Sequence, residues 1–117
     1  MHERSQFGRW GEKAAAAYLT HQGYEILARN YHCRYGELDI VAREGNEIVF
    51  VEVKSRRSDS FGSPASAVDA RKVLRLRRTA RDFLYRYRRP GESYRFDVIE
   101  IITLFGSLHL NHLKHYF

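Results

Sequence analysis

Asp39, Glu52 and Lys54 are the residues whose types and spacing could do chemistry. Carboxylate oxygens are hard donors of the kind that Mg²⁺ or Mn²⁺ takes. A divalent ion held by them can polarise a phosphodiester and lower the pKa of an attacking water. An amine beside it can orient that water or balance charge that gathers on the phosphate oxygens. Glu52 and Lys54 are two residues apart, so on a strand they point to one face. The backbone carbonyl of Val53, between them, is a further candidate ligand. In isolation, Glu-x-Lys is a common surface pair. Here it interrupts the apolar run Ile48–Val53 on what reads as a central strand, where charge is costly unless paired or used.

The strands that must carry these groups are Gly36–Arg43 and Glu47–Ser55, the second rich in β-branched and aromatic residues. Gly45-Asn46 lies between them and is a hairpin turn pair. Alternation places Leu38, Ile40 and Ala42 on one face of the first strand and Glu37, Asp39 and Val41 on the other. On the second strand Val49, Val51 and Val53 share a face; Ile48, Phe50, Glu52 and Lys54 share the opposite one. One face is then apolar and the other carries the charges. A two-residue loop would set Glu44 against Glu47, Ala42 against Val49 and Val41 against Phe50. Carried on, it sets Asp39 against Glu52 and Glu37 against Lys54. Opposed residues have Cβ atoms about 5 Å apart, and two carboxylates that close repel unless a cation neutralises them. A bulge or a longer turn would slip this register.

Around the hairpin, Phe7–Gln22 has helical periodicity in Trp10, Ala14, Ala17, Tyr18 and His21, with Ser5 as a candidate cap and Gly23 as a stop. Glu12 shares a helix face with Ala16 and Leu19 and so can point inward. Tyr24–Tyr31 reads as a strand, Asn30–Gly36 as a loop and Arg56–Gly62 as a second loop. Ser63-Pro64 looks like a helix entry and Asp69 is a second candidate cap. The long helix that follows runs to about Tyr87, with an apolar stripe of Val73, Leu76, Ala80, Phe83, Leu84 and Tyr87. Arg89-Pro90-Gly91 ends it. Tyr94–Thr103 and Leu108–Leu113 are strands joined by a turn at Leu104–Ser107. The order is αβββαββ, an α/β fold with helices packed on one sheet.

The totals agree with a single domain over 1–117. The 117 residues are 44% hydrophobic and 29% charged, an ordinary globular balance. The net charge of +6 favours a polyanionic partner such as nucleic acid. Cys33 is the only cysteine, which rules out a disulfide within the chain and a cysteine-based zinc site. The polar stretch Met1–Trp10 shows no secretory pattern, and no apolar run is long enough to span a membrane. A cytoplasmic location without membrane attachment is expected.

Several patterns in this order resemble a known one: Gly8-x-x-Gly11-Glu12-x-x-Ala15, Gly23-Tyr24, Arg29-Asn30, Gly36-Glu37-Leu38-Asp39, Val51-Glu52-Val53-Lys54-x-Arg56, Ala67-Val68-x-x-x-Lys72 and Arg95-Phe96-Asp97-Val98. The hairpin resembles the PD-(D/E)XK signature of restriction-endonuclease-like nucleases, with Tyr35 where the motif's name has proline. The whole set is similar to the uncharacterised bacterial YraN-type family, itself similar to archaeal Holliday junction resolvases. The resemblance covers nearly the whole chain. It implies a restriction-endonuclease-like mixed sheet of about five strands flanked by helices. It implies Asp39 and Glu52 as ligands of Mg²⁺ or Mn²⁺, Lys54 as catalytic, and Glu12 as a helical carboxylate near the metals.

Other residues surround this core. Glu37 reads as a group behind the metal ligands, with an ion pair to Lys54 as the alternative. Arg56 and Arg57 follow the strand directly and could meet phosphates, or form a solvated loop. Arg71, Arg75 and Arg78 line up on the long helix, where a wet helix face is the plainer reading of any one arginine. Lys72 is set apart because the resemblance places a lysine there. Asp97 is expected to bond an arginine or a backbone amide rather than a metal. His109, His112 and His115 lack acidic neighbours in sequence. Tyr31 or Phe61 could stack on bases. Three functions compete: a metal-dependent endonuclease acting on DNA rather than RNA, at branched or single-stranded structures; a non-catalytic nucleic-acid-binding module; and an assembly subunit using a sheet edge or the apolar tail (Leu113, Tyr116, Phe117). A homodimer would match the two-fold symmetry of a four-way junction.

Overall fold

A computed structural model describes residues 6–57 and 69–117. Ser5, Phe61 and the Ser63-Pro64 helix entry lie outside the described residues. The elements follow the expected order: α1 Gln6–His21, β1 Glu25–Cys33, β2 Gly36–Glu44, β3 Glu47–Arg57, α2 Ala70–Tyr87, β4 Ser93–Leu104 and β5 Ser107–Leu113. They form an α/β fold with one five-stranded sheet, β1-β2-β3-β4-β5. All neighbours are antiparallel except β3 and β4, so the sheet is mixed. The crossover between that parallel pair carries α2, as parallel strands require.

Each helix is bounded by local chemistry. Gly23, at φ +94°, ends α1, and the Tyr24 amide reaches back to the Leu19 carbonyl at 2.9 Å. Asp69 caps α2: its carboxylate accepts from the Lys72 amide at 2.9 Å, which fixes where Lys72 leaves the helix. Among the described residues, no helix is long and apolar enough to cross a membrane.

The two helices bury different faces of the sheet. Ala15 and Leu19 of α1 join Ile40, Ala42, Val49, Val51, Ile99 and Ile101. Leu76, Ala80 and Phe83 of α2 join Val41, Ile48, Phe50 and Phe96. Phe50 is 1% exposed; burying a side chain of that size contributes about 1.5–3 kcal/mol. Both faces are therefore apolar near the middle, so the expected division into an apolar and a charged face does not hold. Buried charges gather in separate clusters away from that middle. Phe117 stacks on Phe96 at 4.9 Å and the Tyr116 amide bonds the Phe96 carbonyl, so the apolar tail is packed in its own core.

Two expected loops are strand in part, and residues 58–62 of the second lie outside the described residues. β1 continues through Asn30 to Cys33, and only Arg34 and Tyr35 turn the chain into β2. Its polar residues suit an edge strand, where alternate side chains meet water. Arg56 and Arg57 extend β3, paired with Ile102 and Thr103, because β4 is long enough to partner its full length.

Candidate active site

The turn at Gly45-Asn46 sets the register expected of it: Glu44 faces Glu47, Ala42 faces Val49 and Val41 faces Phe50. The recorded pairing ends at Ile40 and Val51. Beyond that point β2 stays with β1 and β3 stays with β4. Asp39 therefore does not sit across from Glu52 as a ladder pair. Its Oδ2 accepts from the Val53 amide at 2.8 Å, one residue past Glu52. Two local features accompany the change. Asn30 has φ +54°, and Leu38 packs with Val41 and Phe50 rather than with Ile40 and Ala42. Strict alternation is interrupted next to Asp39, which misplaces Leu38 in a simple strand reading.

Asp39 and Glu52 nonetheless line one cleft of about 510 Å³ between the sheet and α2. Each is 7% exposed. Burial pushes the Glu52 pKa up to about 8, helped by its hydrogen bond with Asp39 and by the charge of Asp39, against the pull of Lys72 and Lys54. Lys72 Nζ lies 3.0 Å from Glu52 Oε2. Burial lowers the Lys54 pKa, as does its hydrogen bond with Lys72. For Lys72 burial also lowers and is the largest single cause, but the attraction of Glu52, hydrogen bonds with Lys54 and Glu52 and the charge of Asp39 together outweigh it, and the pKa rises. The site is thus two buried carboxylates and two amines. Its oxygen donors and the mutual repulsion of its carboxylates fit a small hard cation.

The other expected residues are distributed around this centre. Val53 supplies its amide to Asp39, and its side chain packs toward the α1 core. Glu37 lines the same cleft and pairs with His32 at 3.1 Å. Arg75 lines the cleft and is exposed. Arg56 lies 2.8 Å from Glu100, and Arg57 sits over the Phe7 ring. Glu12 points inward as expected, 2% exposed, on the helix that covers the opposite face. Gly11 brings that helix close: a Cβ there would lie 1.8 Å from Ser55 Oγ, one residue past Lys54. Among the described residues, no three His, Cys, Asp or Glu side chains form a group placed to hold one ion.

A second buried cluster lies on β4 and β5. Asp97 accepts from Arg95 Nε at 3.0 Å and the His115 amide at 3.1 Å, and lies 2.7 Å from His112 Nε2. The arginine and amide partners are those expected of Asp97. The histidine is the correction: His112 has an acidic neighbour after all, brought by strand pairing rather than sequence. Its other nitrogen lies 2.9 Å from the Tyr18 hydroxyl. Burial alone would raise the Asp97 pKa, but bonds from His112, Arg95 and the His115 amide together hold it below its usual value. Arg95 also reaches Glu47 at 2.6 Å, Glu44 at 3.2 Å and Tyr24 at 2.8 Å.

Comparison with known proteins adds the following. Residues 11–101 match the model of the uncharacterised protein family UPF0102. A UPF0102 protein of Syntrophomonas wolfei is 47% identical, covering 92% of this chain and 94% of its own. One from Moorella thermoacetica is 53% identical, covering 84% and 82%. One from Nocardia farcinica is 43% identical, covering 96% and 89%. Among solved structures, a repair endonuclease from Pyrococcus abyssi aligns with a TM-score of 0.47 and 21% identity. The alignment covers 88% of this chain and 41% of the endonuclease.

Proposed function

The chain belongs to the uncharacterised protein family UPF0102, and from that premise we propose that it is a Mg²⁺- or Mn²⁺-dependent nuclease that hydrolyses DNA phosphodiesters. One observation carries the reading: Asp39 and Glu52 converge in a cleft where β2 and β3 part, with Lys54 and Lys72 beside them. A structural ion pair needs one carboxylate and one amine. Two buried carboxylates set against each other are unfavourable in the fold and useful to a cation.

Asp39, Glu52 and the Val53 carbonyl would hold the ion. Bound there, it would polarise the phosphodiester and lower the pKa of the attacking water. The Asp39 bond to the Val53 amide fixes this carboxylate beside Glu52. Lys54, kept less basic by burial, orients the water and takes up charge on the phosphate. Glu12 is the proposed fourth member of the site beside Asp39, Glu52 and Lys54, supported by its burial on α1 where Gly11 lets the helix approach β3. Glu37 steadies the cleft wall. Lys72, Arg75, Arg56 and Arg57 contact the phosphate backbone, consistent with the net charge of +6.

The test is incubation with Mn²⁺ or Mg²⁺ and labelled single-stranded, duplex, flap and four-way DNA, with an RNA control, beside Asp39→Asn. Cleavage by the wild type alone supports the proposal. If the wild type cuts nothing, or Asp39→Asn cuts equally well, the nuclease reading fails. Binding without cutting would instead favour a non-catalytic nucleic-acid-binding module.

A further inference from the structure

Glu52 at 7% exposure needs a compensating charge whenever it ionises, and Asp39 beside it makes the need larger. The group that touches it is Lys72, with Nζ 3.0 Å from Oε2. This amine comes from α2, across the cleft, on a flexible four-carbon stem. Its backbone is fixed by the Asp69 cap, but its side chain is only half-buried. Lys54, by contrast, projects from the same strand as Glu52. One turn along α2 from Lys72, Arg75 lines the same cleft and is open to solvent.

We propose that Lys72 is the resting counter-cation of the Asp39–Glu52 pair, and that it gives up Glu52 to a divalent ion and turns into the cleft beside Arg75 to meet a substrate phosphate. This rests on the metal site proposed above. Ammonium and divalent ion compete for one oxygen, since like charges at such range repel strongly in a partly buried site. The released amine then lies where phosphate arrives. Metal binding and nucleic-acid binding become coupled through one side chain, and the coupling is reciprocal.

The experiment compares full-length wild type with Lys72→Met, Lys72→Arg, Arg75→Met and Asp39→Asn. Mn²⁺ affinity is measured by calorimetry. Affinity for a labelled single-stranded oligonucleotide is measured with and without Ca²⁺, and melting curves confirm folding. Lys72→Gln serves if Lys72→Met does not fold. Lys72→Met should bind Mn²⁺ roughly tenfold more tightly, within the usual range for coupled sites. Lys72→Arg should stay close to the wild type. Ca²⁺ should strengthen oligonucleotide binding by the wild type and much less by Lys72→Met. The proposal is overturned if Lys72→Met binds Mn²⁺ no more tightly than the wild type. It is also overturned if Arg75→Met tightens Mn²⁺ binding as much, since the effect would then be the general field of the cleft. If wild type and Asp39→Asn bind Mn²⁺ alike, the metal site itself fails, and this inference with it.

Discussion

At Asp97 a buried carboxylate accepts from an arginine and a backbone amide and lies against a histidine; at Glu52 a buried carboxylate lies beside a second carboxylate in an open cleft. Both lie on the same sheet, on adjacent parallel strands. Burial raises the pKa at each, yet the net direction is down at Asp97 and up at Glu52. The difference lies in the partners. Asp97 is surrounded by donors that tie β4, β5 and the C-terminal tail together. Glu52 is left dependent on charges that can move or be replaced. A buried charge fully met by its own fold is structural; one set against its like is available to a ligand.

The largest expected effect is on the satisfied cluster. Asp97→Asn should lower unfolding stability by about 3–5 kcal/mol, because it leaves Arg95 buried without its main counter-charge. Urea denaturation at neutral pH measures this, and a loss under about 1 kcal/mol would show that the cluster is not a structural tie. Next comes activity. Glu52→Gln should lower cleavage by roughly two to three orders of magnitude, the scale of removing one charge-stabilising group. Asp97→Asn, corrected for the folded fraction, should cleave nearly as the wild type does. Equal losses in the two variants would erase the distinction between the clusters.

A pH series gives a smaller effect. The Asp97 pKa is lower in the folded protein than in the unfolded chain, so its contribution is complete above the ordinary aspartate range. As pH falls through that range and on through the folded value, the contribution is lost. The acid limb of the stability curve should therefore flatten in Asp97→Asn. An unchanged limb would mean that other carboxylates govern acid unfolding. The smallest effect is expected for Glu52→Gln without metal. Removing a carboxylate that repels Asp39 should leave stability within about 1 kcal/mol of wild type. A loss as large as that of Asp97→Asn would mean that Glu52 is held as firmly as Asp97.

Much of this was legible in the sequence because it depended on local rules. The Gly45-Asn46 turn fixed the hairpin register as far as Ile40 and Val51, the Asp69 cap marked α2, and the spacing of Glu52 and Lys54 put both at the same end of β3. Three features were not legible. Alternation on β2 breaks beside Asp39, across from the left-handed Asn30, and asparagine tolerates that conformation without demanding it. Lys72 meets Glu52 only after α2 has folded back across the sheet. His112 meets Asp97 only through the pairing of β4 with β5. In the last two cases residues far apart in sequence come together, which no local pattern encodes. The one retrievable signal was the exception made of Lys72 among the many basic residues of its helix.

The central claim is that the cluster of paired carboxylates at Asp39 and Glu52 is a divalent-ion site and the Asp97 cluster is not. Thermal melting of wild type, Asp39→Asn and Asp97→Asn with increasing Mn²⁺ tests it most directly, because an ion that binds the folded state raises the melting temperature by mass action. The account predicts that Mn²⁺ raises the Tm of the wild type, raises that of Asp97→Asn from a lower starting point, and leaves Asp39→Asn unmoved. A wild-type Tm insensitive to Mn²⁺, or an equal rise in Asp39→Asn, would contradict it.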